Sequence, residues 1–173
     1  MPRCDKLVDI GRRHFLRGSA FTAAGAAAAT MAPAPAAAQT ALARVDYPSN
    51  RLANIADLVI DEPLYVAYPD EAAQGVLLKL GTTVEGGVGP DRDIVGFSVI
   101  CPHKGYPMSY SASDRTLNCP GHYSRFDCEA GGQQIWGQAT QNLPQYMLRV
   151  DDDGDIYAEG VDELIYGRLS NVL

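Results

Sequence analysis

The residues best suited to chemistry lie in two short segments of this 173-residue chain, Cys101-Pro102-His103-Lys104-Gly105 and Cys119-Pro120-Gly121-His122-Tyr123-Ser124. Each supplies one sulfur and one imidazole. Thiolate and neutral imidazole are good ligands for zinc and for iron, so two of each could complete a tetrahedral zinc site or a two-iron two-sulfur cluster. The zinc site draws all four ligands onto one ion. The cluster divides them, two cysteines on one iron and two histidines on the other, so that each loop must reach both metals. Cys-x-His and Cys-x-x-His spacings allow this, while Pro102, Gly105, Pro120 and Gly121 suit tight turns. Backbone amides in such turns can point at a sulfur and stabilise its negative charge.

The elements that must position these loops read as β structure. Short apolar runs recur between turn signals: Leu64-Tyr65-Val66-Ala67-Tyr68, Val76-Leu77-Leu78-Lys79-Leu80 and Ile94-Val95-Gly96-Phe97-Ser98-Val99-Ile100. Gly86-Gly87-Val88-Gly89-Pro90 is a loop. Asp153-Gly154, between Tyr146-Met147-Leu148-Arg149-Val150 and Ile156-Tyr157-Ala158, predicts a hairpin turn. Helical periodicity is weak, and only residues 52–58 and 161–169 are predicted as short helices. The class is mainly β, antiparallel, in one compact domain.

The amino terminus reads as an address. Gly11-Arg12-Arg13-His14-Phe15-Leu16-Arg17 resembles the twin-arginine export motif. Residues 18–38 contain 12 alanines and end in Ala36-Ala37-Ala38, where a signal peptidase could cut. An Ala/Pro linker or a membrane-spanning anchor is the alternative, but the stretch has no Leu, Ile or Val and is broken by Pro33 and Pro35. Residues 1–38 are therefore expected to be a twin-arginine signal peptide and 39–173 a mature periplasmic domain, exported folded around a prosthetic group. The mature part has 9 basic and 19 acidic residues, a formal charge of -10. Such a chain lacks the clustered Lys and Arg that nucleic acid binding requires, and a basic protein surface suits it better.

With 15 residues between His103 and Cys119, the two loops resemble the C-x-H and C-x-x-H pattern of Rieske iron–sulfur proteins. Weaker matches extend over the mature chain, at Ile55-Ala56-Asp57-Leu58, at the strand before Cys101 and at Leu143-Pro144, where Rieske domains have a covering loop. The resemblance implies an antiparallel β sandwich or barrel base carrying a small cluster-binding subdomain, here about residues 98–132. It implies one 2Fe-2S cluster held by Cys101, His103, Cys119 and His122, with the histidine edges near solvent. It also implies that Ser124 donates its hydroxyl to a bridging sulfide. Many high-potential members add a cysteine to each loop and join the two by a disulfide, but Tyr106 and Gly121 stand at those positions, and Phe126 stands where they often have tyrosine. One hydrogen-bond donor to the cluster is thus kept and one lost, which points to an intermediate potential within the roughly -150 to +300 mV span of such centres. Cys128 is left without a partner, since Cys4 lies in the leader, and is expected to be a buried packing residue.

A cluster whose iron positions are all taken by protein has no place for substrate and passes single electrons, so no general acid, base or nucleophile is nominated. Within the Rieske families the chain looks most like the small subunit of arsenite oxidase, on the leader, the Cys101–Gly105 loop and the ending Val161-Asp162-Glu163-Leu164-Ile165-Tyr166-Gly167-Arg168-Leu169. That resemblance implies a heterodimer with a large molybdopterin subunit bearing its own iron–sulfur cluster. Arsenite would be oxidised there, and cytochrome c or a small copper protein would accept the electrons near His103 and His122. The alternative is the Rieske subunit of a membrane cytochrome bc quinol oxidase, disfavoured by the poor anchor and the missing cysteine pair.

Overall fold

The computed structural model describes residues 46–172, so the predicted leader, its cleavage point and Cys4 lie outside the described residues. Among the described residues, ten strands form three antiparallel sheets. The first comprises β1 (Asn50–Asn54), β10 (Asp155–Val161) and β9 (Tyr146–Val150), in that order. The second runs β2 (Leu64–Ala67), β3 (Gln74–Lys79), β4 (Ile94–Ser98). Its central strand is almost continuously buried, as expected of a strand covered on both faces. A bridge between Phe97 and Gln145 and the bond from the Ser98 amide to the Pro144 carbonyl (3.0 Å) join the two sheets into a base.

The third sheet, β5 (Ser109–Ser111), β6 (Thr116–Asn118), β7 (Arg125–Asp127) and β8 (Gln133–Trp136), is a meander of three- and four-residue strands. Strands that short cannot hold themselves together, and this sheet is stabilised by sharing a core with the second one. Leu117, Phe126 and Cys128 pack in one apolar cluster with Val76, Leu78 and Phe97 of the base. Polar links add to it. Arg115 grips Asp61 with two bonds, Nε to Oδ1 at 2.9 Å and Nη2 to Oδ2 at 3.1 Å, and the Tyr110 hydroxyl donates to the same carboxylate at 3.2 Å.

The predicted runs fall on β2, β3 and β4, and the hairpin turns at Asp153-Gly154 between β9 and β10, with Gly154 at φ +81°. The two helices do not form. Leu52 lies in β1, paired with β10, and only Ile55–Asp57 makes a single 3-10 turn, capped by Asn54. Residues 161–169 end β10 and continue without helix, because their side chains are tied elsewhere. Asp162 takes the Gln145 amide at 2.7 Å, and Arg168 forms a two-pronged ion pair with Asp70 at 2.6 and 2.7 Å. Tertiary partners of this kind override a weak local periodicity. The described chain ends beside its beginning, where Asn171 donates to the Tyr47 hydroxyl at 3.0 Å. No helix among the described residues is long and apolar enough to cross a membrane.

Candidate metal centre

Both cysteine–histidine segments are hairpin tips. The first follows β4, where Cys101 N–H donates to the Tyr106 carbonyl (2.9 Å), Gly105 N–H to the Cys101 carbonyl (2.8 Å) and Met108 N–H to the Val99 carbonyl (2.9 Å). The second caps the β6–β7 hairpin, closed by Cys119 N–H on the Ser124 carbonyl at 2.9 Å. Left-handed backbone makes both turns possible, at Gly105 (φ +71°) and, less usually for a residue with a side chain, at Tyr123 (φ +59°).

The turns sort the four side chains into two pairs. Cys101 and Cys119 are buried in the apolar core, close enough for their thiols to hydrogen-bond. Burial pushes the Cys101 thiol above its ordinary range, opposed by the backbone amides of His103 and Lys104, which point at its sulfur. The rings of His103 and His122 meet edge to face, 4.8 Å between centroids, with His122 exposed. Among the described residues no three His, Cys, Asp or Glu side chains gather around one point. A sulfur pair within and an imidazole pair at the rim match the donor set of a two-iron cluster. One further feature fits: His103 Nδ1 is buried and has no hydrogen-bond partner in the protein, a costly state for a polar atom unless a metal takes its lone pair.

The surroundings hold this arrangement. Ser124 is fully buried, and its Oγ accepts the amides of Gln138 (3.1 Å) and Ala139 (3.0 Å). With both lone pairs engaged, its hydroxyl hydrogen is left to donate. Gly137 lets this happen, since a β-carbon there would lie 2.4 Å from Ser124 Cα. The local sequence marks the Gly137–Ala139 backing only by a glycine following Trp136. Phe126 is fully buried in the same core as the two cysteines, and so is Cys128, whose thiol burial pushes up to about 12.

A family model for the Rieske [2Fe-2S] domain matches residues 59–147, which span both loops and the sheets that carry them. The chain belongs to the Rieske family. The Rieske domain here therefore carries one 2Fe-2S cluster. Similar over nearly its whole length are two proteins described as iodate reductase subunit IdrB. That of Denitromonas iodatirespirans is 42% identical over 93% of this chain and 89% of its own. That of Pseudomonas sp. (strain SCT) is 39% identical over 91% and 82%. In fold, the Rieske protein resembles the soluble domain of Rieske protein II (soxF) from Sulfolobus acidocaldarius, with a TM-score of 0.63 at 24% identity, over 70% of this chain and 82% of that one.

Proposed function

We propose that the chain is the electron-relay subunit of a heteromeric oxidoreductase acting on an oxyanion, with Cys101 and Cys119 holding one iron and His103 and His122 the other. The observation that carries the site assignment is the division of the four side chains into a buried thiol pair and a rim imidazole pair with an unpartnered Nδ1. When bound, the cluster supplies one-electron chemistry at a site with no open coordination position. The protein does the rest. It keeps the thiolates dry, aims the amides of His103 and Lys104 at Cys101, offers the Ser124 hydroxyl, and leaves His122 at the surface where an electron can leave or enter.

The reaction itself takes place on another subunit, for which we propose a large molybdopterin protein with its own iron–sulfur cluster. The extended similarity to iodate reductase subunits supports a reductive partner, to which this subunit would deliver electrons. The resemblance of the leader, first loop and ending to the arsenite oxidase small subunit supports the second reading, in which electrons leave arsenite and pass to cytochrome c or a copper protein. The twin-arginine leader supports a periplasmic site for either.

Purification of the native complex tests both parts. Molybdenum should co-purify, and iodate reduction against arsenite oxidation decides the direction. Purified subunit that never associates with a molybdenum protein, in cells expressing both, would sink the subunit assignment and leave the cluster standing. His122→Ala or Cys119→Ala should abolish the cluster's visible absorption and its paramagnetic signal.

A further inference from the structure

Each loop carries a glycine on which a tyrosine ring is seated. A β-carbon on Gly121 would lie 2.8 Å from Cδ2 and 3.0 Å from Cε2 of Tyr106, and one on Gly105 would lie 2.8 Å from Cδ1 and Cε1 of Tyr166. At such distances a β-carbon could enter only if the ring moved, so the rings rest directly on the backbone of the metal-binding turns. Tyr106 belongs to the first loop and Gly121 to the second, so this contact ties one loop to the other. The Tyr106 ring also stands edge-on to the His122 imidazole, 6.0 Å away at 86°. Its own backbone is fixed by the bond from Cys101 N–H to the Tyr106 carbonyl, 2.9 Å.

Tyr166 comes from the segment after β10, which is anchored at several points. Arg168 clasps Asp70, and the Asn171 side chain accepts the Ile165 amide (2.9 Å) while donating to the Glu163 carbonyl (2.8 Å). The segment is thus stapled to the base while its ring bears on the first loop.

We propose that Tyr166 and Tyr106 are positioning residues acting in series: the anchored carboxyl-terminal segment sets the Cys101–Gly105 loop through Gly105, and that loop sets the second through Gly121. The two rings supply, without a covalent bond, the inter-loop constraint that fixes the His103–His122 geometry. This rests on the cluster assignment above. The rings act by shape, so the hydroxyls are dispensable and only loss of the ring, or a methyl pushed beneath it, disturbs the site.

The test uses the full, cluster-loaded chain and its variants Y106F, Y166F, Y106A, Y166A and G121A, comparing the reduced-state paramagnetic line shape and the rate at which visible absorption is lost on warming. The phenylalanine variants should match the wild type. Y106A, Y166A and G121A should lose the cluster about fivefold faster and shift or broaden the signal, and failure of Y106A to load while Y106F loads is the same result at its limit. Alanine variants with wild-type spectra and loss rates would overturn the proposal, as would phenylalanine variants as damaged as the alanine ones. Wild-type protein without iron would sink the cluster assignment itself, a separately recognisable result.

Discussion

Ser124 and Phe126 lie two residues apart, the first a donor in place and the second a donor missing. Phe126→Tyr should raise the reduction potential, because a hydroxyl near the cluster favours its more negative reduced form, and redox titration checks the sign. The same hydroxyl enters a fully buried site, so if it reaches no partner the variant should also lose about 1–3 kcal/mol of stability. Ser124→Ala should move the potential the other way and strand the Gln138 and Ala139 amides. Cys128 behaves differently. Burial keeps its thiol neutral, so it should resist alkylation at pH 8 in the native protein and react once unfolded, while Cys128→Ala should keep the cluster at a cost of about 1 kcal/mol.

Among the elements, the grip of Arg115 on Asp61 links the short-stranded sheet to the base, and both residues hold left-handed backbone to make it, at φ +49° and +62°. The hydrogen bonds from Arg115 hold the Asp61 carboxyl below its ordinary range. A carboxyl depressed by folding contributes stability at neutral pH that is lost as pH falls through the folded-state value, below about pH 4. Asp61→Asn should therefore be less stable at pH 7 and show a shallower acid limb in thermal melts across that range. Sequence alone made β2, β3, β4 and the Asp153-Gly154 hairpin readable, because short apolar runs bounded by turn residues, and turn chemistry itself, are local. The four residues of the proposed site could be named from ligand type and spacing, and the structure brings them together as a thiol pair and an imidazole pair. The fate of residues 161–169 was not: Asp162, Tyr166 and Arg168 are fixed by Gln145, Gly105 and Asp70, partners that no local pattern reveals. The same holds for Ser124's backing, which depends on Gly137 folding onto it just past the end of β8.

Over the molecule as a whole, acidic residues outnumber basic ones by 19 to 9 across residues 39–173. The formal charge of -10 on residues 39–173 should draw a basic redox partner, so electron exchange with a basic cytochrome c should slow as salt rises from low to physiological strength, measured by stopped-flow absorbance. A rate indifferent to salt would remove charge from the account of partner choice.

The bond between Asn171 and Tyr47 brings the two ends of the described chain to one spot, while the turn at Glu85-Gly86 lies exposed. The order in which the strands are strung is then separable from the shape they build. A circular permutant, with a short linker joining residue 172 to residue 46 and new ends cut into that turn, should still become coloured on reconstitution with iron and sulfide.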